Sequence, residues 1–212
     1  MYKKISLIFI FLDELIFDNI LIHNIFLFLT KGKTLKNYIS KDQKYFITGF
    51  PRSGNTFLTR LFKSLFPDIR ISSHIHTISA LKYSKKFGLK IFVVHRNIDD
   101  SIASLILKRF YRFKESRILI YLLKQRHKRF YKFCRNQNLE IINFEELTTN
   151  TTEVIKKISK ILDREIPEGI DFFIKNTQNS LYIDKRDKLL ATFPNKDKES
   201  KKSFLKKLIK EV

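Results

Sequence analysis

From Lys44 onward, short apolar runs alternate with longer stretches in which apolar residues return every three or four positions. The first kind predicts buried strands and the second amphipathic helices, because side chains repeat about every 2 residues along a strand and about every 3.6 along a helix. On that pattern Tyr45–Thr48 is a strand running into Gly49-Phe50-Pro51, Asn55–Phe66 a helix, and Ile69–Ser73 a second strand. A helix from about Ile75 to Lys86 leads into Lys90–His95, the clearest strand of the chain. Asp99–Phe110 and Arg117–Arg135 read as helices and Glu140–Asn143 as a further strand. Thr151–Leu162 reads as a helix with Ile155, Ile158 and Ile161 on one face, and Asp184–Val212 as a lysine-rich loop followed by a short helix. Strands separated by helices of this length predict a parallel sheet with right-handed crossovers and helices on both faces, a three-layer α/β domain.

The first 40 residues follow a different pattern and are read as a separate N-terminal unit (1–40) ahead of the α/β domain (41–212). Lys3 and Lys4 precede the apolar run Ile5–Leu12; Asp13, Glu14 and Asp18 interrupt it, and His23 and Asn24 interrupt a second run. A spanning helix needs about 20 mostly apolar residues, which neither run supplies. The expectation is one or two helices packed on the domain or lying at a membrane surface, the latter making the protein peripherally membrane-associated.

Composition narrows the function classes. The single cysteine, Cys134, cannot form an internal disulfide, which suits a reducing, cytoplasmic compartment, and with no Cys or His near it at ligand spacing it reads as a buried structural thiol. A net charge of +21 favours an anionic partner: nucleotide, acidic glycan, membrane surface or nucleic acid. The basic stretch Lys124, Arg126, Lys128, Arg129, Lys132 and Arg135 would serve the last of these, but it belongs to no recognisable DNA or RNA module and reads as a solvated helix face, which disfavours nucleic acid.

The candidate chemistry lies at Gly49-Phe50-Pro51-Arg52-Ser53-Gly54-Asn55-Thr56, between the first predicted strand and the first predicted helix. A helix N-terminus there presents free N–H groups and the positive end of the dipole to an anion. Gly54 allows close approach of the backbone, and Ser53 and Thr56 offer hydroxyls. The spacing nearly satisfies the nucleotide pattern G-x-x-x-x-G-K-[ST], but Asn55 stands where the lysine for the outer phosphates belongs, and the cation of the loop is Arg52. No strand-end aspartate suited to magnesium is evident, so a P-loop kinase or NTPase is the alternative reading and no metal site is expected.

Pro51-Arg52-Ser53-Gly54-Asn55-Thr56-Phe57-Leu58 resembles the 5′-phosphosulfate loop of the sulfotransferases that use 3′-phosphoadenylyl sulfate (PAPS), P-[KR]-S-G-[TN]-T-[WF]-L. A second block, His95-Arg96-Asn97-Ile98-Asp99-Asp100-Ser101-Ile102-Ala103-Ser104, resembles the 3′-phosphate motif R-N-P-x-D-x-x-x-S of the same family, with Ile98 in place of its proline. Ile142-Asn143-Phe144-Glu145-Glu146-Leu147 is similar to the family's Y-E-D-L segment, with Phe144 lacking the tyrosine hydroxyl. The blocks fall in the family's order over Tyr45 to Leu162; the C-terminal R-K-G and G-x-W segment has no clear counterpart beyond Lys185-Arg186-Asp187-Lys188.

The resemblance implies a P-loop sulfotransferase-like fold, PAPS as donor and a hydroxyl-bearing acceptor such as a glycan, glycolipid or small alcohol. It implies that Ser53, Gly54, Asn55 and Thr56 cradle the 5′-phosphate, that Phe57 stands where relatives set an aromatic ring against adenine, and that Arg96 and Ser104 hold the 3′-phosphate. The competing role of Arg96 is an ion pair with Asp99 or Asp100, and that of Phe57 an ordinary core position. Arg52 would face the oxygen between phosphorus and sulfur. His74, in Ser72-Ser73-His74-Ile75-His76, corresponds to the catalytic histidine of the cytosolic branch, with His76, Glu145 and Glu146 as rival bases.

Overall fold

The computed structural model describes residues 18–73, 75–183 and 196–212. Four strands, β1 (Tyr45–Gly49), β2 (Ile71–Ser73), β3 (Lys90–His95) and β4 (Glu140–Asn143), form a sheet of order β2-β1-β3-β4. All three pairings are parallel, with Phe46 opposite Ser72 and Ile91, and Val93 opposite Ile141. The chain steps from β1 outward to β2, then returns past β1 to β3. Strand order therefore reverses between β1 and β3, and in an open α/β sheet the crevice at such a reversal, beyond the carboxyl ends of the strands, is where ligands bind.

Alternation along the central strands builds two cores. Phe46, Ile91 and Val93 face one side, among side chains of α1 (Ile20–Lys31), α4 (Ile78–Lys86), α5 (Ile98–Arg109), α6 (Arg117–Asn136) and α10 (Lys196–Lys210). Ile47, Phe92 and Val94 face the other, among side chains of α3 (Asn55–Leu65), α7 (Phe144–Thr149), α8 (Thr151–Leu162) and α9 (Ile170–Ile183). The three-layer α/β architecture is as the periodicity predicts.

The boundaries shift for local reasons. β2 starts at Ile71, not Ile69, because the Ile69 N–H closes a turn onto Phe66 O at 3.1 Å. α4 starts at Ile78, where the Thr77 hydroxyl accepts from the Ala80 N–H at 3.2 Å, while the Ile75 carbonyl is engaged by Thr48 Oγ1 at 2.6 Å. The C-terminal helix is longer than expected, 15 residues, with Leu205 and Ile209 buried. Short α7 and weakly amphipathic α9 are helices that the pattern does not single out; among its described side chains α9 buries the polar Thr177.

At the N-terminal side, four-residue α2 (Leu35–Tyr38) follows α1, and Leu27, Leu35 and Ile39 enter the first core. His23, which breaks the apolar run in the sequence, is buried with Nδ1 2.6 Å from Ser79 Oγ, and Asn24 Oδ1 accepts from the Leu35 N–H at 2.8 Å. His23 thus links α1 to α4 and Asn24 links it to the start of α2. No helix among the described residues is long and apolar enough to cross a membrane.

Candidate functional site

The loop after β1 is shaped by sterics. A Cβ on Gly49 would stand 2.3 Å from Val94 O and 2.6 Å from Asn55 Oδ1, so only glycine lets β1 end this close to β3. Arg52 (φ 72°) and Gly54 (φ 94°) both adopt left-handed backbone, uncommon for a side chain such as arginine's. A Cβ on Gly54 would also press into the Phe144 ring at 2.6 Å. α3 then begins with no side-chain cap and no acidic residue in its first turn, leaving its N-terminal N–H groups and dipole uncompensated.

The residue types around that turn divide into two groups. Thr56 is exposed, beside the helix N-terminus. Ser53 is fully buried and turned inward, 3.1 Å from Tyr131 Oη and 3.4 Å from Ser101 Oγ. Asn55 also turns inward: its Nδ2 donates to Phe50 O at 3.2 Å and to Gly49 O at 3.4 Å, holding the loop carbonyls as a lysine reaching outward would not. Its Oδ1 is buried without a partner. Phe57 is buried in the second core with Leu58 and Leu61.

The second block docks on the first. Asn97 caps α5, accepting from the Asp99 N–H at 2.9 Å and the Asp100 N–H at 3.3 Å, which makes Ile98 the first helical residue. Proline is merely favoured at that position, so the isoleucine is tolerated. Arg96 Nη1 donates to Arg52 O at 3.1 Å, and Arg52 Nε donates to Ser104 Oγ at 3.2 Å. The structure therefore brings Arg52, Arg96 and Ser104 together across the β1–β3 crevice. Arg96 lies over the Phe144 ring, 4.2 Å from its centroid, so this phenylalanine serves as a plate for the guanidinium. Asp100 accepts instead from Lys202 Nζ at 2.8 Å and Lys206 Nζ at 2.9 Å. Burial pulls the Arg96 guanidinium below its usual value, opposed by Asp100, Glu145 and Glu199, and its Nε is buried without a partner.

Behind the loop after β1 and Arg96 stands a polar layer from α6 that sequence reasoning missed. Tyr131 is 1% exposed; its hydroxyl donates to Val94 O at 2.7 Å and receives the Phe50 N–H at 3.1 Å, besides its contact with Ser53. One phenol thus ties the end of β3 to the loop after β1. Four residues earlier, His127 Nε2 lies 3.2 Å from Arg96 O. Burial lowers His127 to about 4, so at neutral pH it is the uncharged ring whose Nε2–H donates to that carbonyl. The available signal was polar side chains at core positions of a basic amphipathic helix whose buried face also carries Leu123, Phe130 and Cys134. Cys134 is itself fully buried, with its thiol pushed up to about 12. Removing the Tyr131 hydroxyl strands buried partners, at about 1–3 kcal/mol for an unsatisfied group. Tyr131→Phe is therefore expected to lower stability to denaturant by about that amount; an unchanged unfolding curve would show that the phenol is no strut.

Of the candidate bases, His74 lies outside the described residues. His76 is half-buried with Nδ1 3.5 Å from Asn55 Nδ2, beside the loop. Glu145 and Glu146 are exposed in the first turn of α7. Lys185-Arg186-Asp187-Lys188 also lies outside the described residues. Among the described residues no cluster of three or more His, Cys, Asp or Glu side chains is placed to hold a metal ion.

No protein-family model matches the sequence, and no curated protein matches it. Among solved structures the chain is similar to the crystal structure of the mouse sulfotransferase SULT7A1 complexed with PAP, at 15% identity and a TM-score of 0.55, covering 84% of this chain and 90% of that one. At that identity the likeness is one of fold: the chain has the α/β fold of a sulfotransferase.

Proposed function

We propose that the chain transfers a sulfuryl group from PAPS to an acceptor hydroxyl, on a glycan, a glycolipid or a small alcohol. The observation that carries the reading is the convergence of two anion grips at the strand-order reversal. One is an uncapped, acid-free helix N-terminus; the other is the Arg96 guanidinium, stacked on Phe144 with a buried, unpartnered Nε. Two grips on separate elements fit a nucleotide carrying two separated phosphates better than one with a single phosphate chain.

In this reading the α3 N-terminus and Thr56 hold the 5′-phosphate, and Arg96 with Ser104 holds the 3′-phosphate. The acceptor oxygen attacks sulfur, and a new S–O bond forms as the bond from sulfur to the bridging phosphate oxygen breaks. That oxygen leaves with the electron pair on adenosine 3′,5′-bisphosphate, and the acceptor proton passes to a base, for which His74 is the candidate. Arg52 stabilises the charge gathering on the leaving oxygen. The kinase alternative loses ground because Asn55 is committed to the loop's own carbonyls.

The test is ligand selectivity. A charge-assisted hydrogen bond contributes about 1.5–3 kcal/mol, so Arg96→Ala should weaken adenosine 3′,5′-bisphosphate about ten- to a hundredfold while leaving adenosine 5′-phosphate nearly unchanged, by calorimetric titration. Equal weakening of both would make Arg96 a structural residue and remove the support for a 3′-phosphate grip.

A further inference from the structure

Helix α1 carries an apolar face that the domain leaves open. From Ile20 to Thr30 the sequence has no acidic residue, lysine or arginine. The helix is nevertheless closed at both ends: Asn19 Oδ1 accepts from the Leu21 and Ile22 N–H groups at 2.9 and 3.2 Å, and left-handed Gly32 terminates it. Ile20, His23, Asn24 and Leu27 fall on the side toward the domain, with His23 and Leu27 buried. Leu21, Ile22, Ile25, Phe28 and Leu29 fall on the opposite side, over an arc of about 120° at roughly 100° per residue. All five are exposed, Leu21 at 68%, Phe28 at 63% and Leu29 at 77%. Scattered apolar side chains on a surface need no explanation, but a contiguous patch marks an interaction site.

Lysines stand toward both ends of that face. α4 runs opposite to α1, with Ser79 at His23 and Lys82 Nζ donating to Asp18 O at 3.0 Å, so Lys85 and Lys86 in its last turn lie toward the N-terminal end of α1. At the other end the chain turns at Gly32 and comes back along the helix, the Leu35 N–H meeting Asn24 Oδ1 at 2.8 Å, which sets Lys33 and Lys36 there. All five lysines are exposed. The contacts they make are to neutral groups: besides Asp18 O, the Gln137 amide for Lys85 and the Tyr38 ring, 6.0 Å away, for Lys33. The carboxylate of Asp18 itself faces Arg129 at 4.0 Å.

A second copy of the chain on this face would bring these lysines against their equals, on molecules of net charge +21 each. The charge therefore calls for an anionic partner. The arc calls for an apolar one, and with no polar side chain in it, it offers nothing to fix a partner's register. An anionic bilayer surface supplies both, a plane of negative headgroups over acyl chains. At about 1.5 Å per residue α1 is roughly 18 Å long, short of a hydrocarbon core of about 30 Å, so it fits in the plane of the interface and does not span it. We infer that α1 seats the protein on an anionic membrane surface, its exposed arc in the acyl boundary and Lys33, Lys36, Lys82, Lys85 and Lys86 among the headgroups. The inference is independent of the sulfotransferase reading, since none of these residues is assigned to donor or acceptor.

Co-sedimentation of the full chain with vesicles of phosphatidylcholine containing about 30% phosphatidylserine, against vesicles of phosphatidylcholine alone, tests it. The anionic vesicles should bind at least about tenfold more tightly, since each lysine near such a surface contributes about fivefold, and added salt should erode the difference. The variant Leu21→Gln/Phe28→Gln/Leu29→Gln should lose at least about a hundredfold in vesicle affinity, because binding scales with the apolar area inserted. Its melting temperature without lipid should be unchanged, as all three side chains are exposed. Lys82→Gln/Lys85→Gln/Lys86→Gln should lose about ten- to a hundredfold on the anionic vesicles alone. A nitrobenzoxadiazole label on Leu29→Cys should brighten and shift to the blue on those vesicles; Cys134 is buried and does not compete for the label. Absence of binding, equal affinity for the two vesicles, wild-type affinity in the apolar variant, or a label that stays in water while the chain binds would each overturn the inference. A lowered melting temperature in the apolar variant would overturn it by showing the arc covered by another part of the chain. A lipid-free dimer that this variant abolishes would overturn it by giving the face to a second copy.

Discussion

Arg52→Ala is expected to lower sulfuryl-transfer turnover about 10²–10³-fold, the usual loss when one donor to a developing oxyanion is removed. The residue is placed by its backbone as much as by its side chain. Its left-handed φ of 72° sits in the middle of the turn, and its carbonyl receives the Arg96 Nη1 donor at 3.1 Å. Alanine keeps that carbonyl, so the coupling between the two grips survives and what is lost is the guanidinium. Affinity for adenosine 3′,5′-bisphosphate should therefore fall modestly, within about tenfold, because the cation works chiefly on charge that appears as the sulfur–oxygen bond breaks. Arg52→Lys separates charge from geometry. It preserves the cation while losing the Nε–H donated to Ser104 at 3.2 Å, and it should retain most of the rate. Radiolabelled-sulfate transfer from PAPS measures turnover, and calorimetry measures the bisphosphate. Near-normal turnover in Arg52→Ala would remove Arg52 from the reaction and leave it a residue of the turn.

The crevice was legible in sequence because its parts are local. An apolar run that stops at Gly49-Phe50-Pro51 and restarts as a helix needs no distant partner to be read, and neither does Lys90–His95 followed by Asn97, a ready helix cap. Their convergence follows from topology, since adjacent parallel strands deliver their C-terminal ends to one edge. What was not legible depends on contacts distant in sequence. Tyr131 reaches Phe50, 81 residues away, and Val94, 37 residues away, and no spacing rule connects them. The same tertiary contact turns the Ser53 hydroxyl inward, where sequence reasoning gave it to the ligand. Phe144 shows the reverse case. Counted in sequence as a lost hydroxyl, in the fold it forms the face beneath Arg96 and the wall against Gly54. α9 escaped notice because burial of Thr177 and half-burial of Phe173 and Ile174 give it no clean apolar stripe.

That inward-facing layer also bears on which histidine takes the acceptor proton. His74→Ala should reduce turnover about 10²–10⁴-fold, the range for losing a general base, and leave affinity for adenosine 3′,5′-bisphosphate within about twofold, since a base that meets only the acceptor contributes nothing to donor binding. His76→Ala should behave differently. His76 Nδ1 stands 3.5 Å from the Asn55 amide, which in turn holds the Phe50 carbonyl at 3.2 Å, so its loss should disturb the phosphate loop and weaken the bisphosphate along with turnover. The two variants are thus told apart by affinity, not by rate alone. A general base acts only in its unprotonated form, so in the wild type kcat should fall on the acid side as the base gains its proton, and that limb should vanish in the variant lacking the true base. Normal turnover in His74→Ala, with the acid limb retained, would move the role elsewhere. If His76→Ala then lost the limb with bisphosphate affinity intact, His76 would be the base; if it kept the limb, Glu145→Gln and Glu146→Gln would be the remaining carriers to measure. Wild-type turnover in all four variants would mean that proton removal does not limit the reaction, while the donor grips of Arg96 and Ser104 would still stand or fall by the bisphosphate measurement.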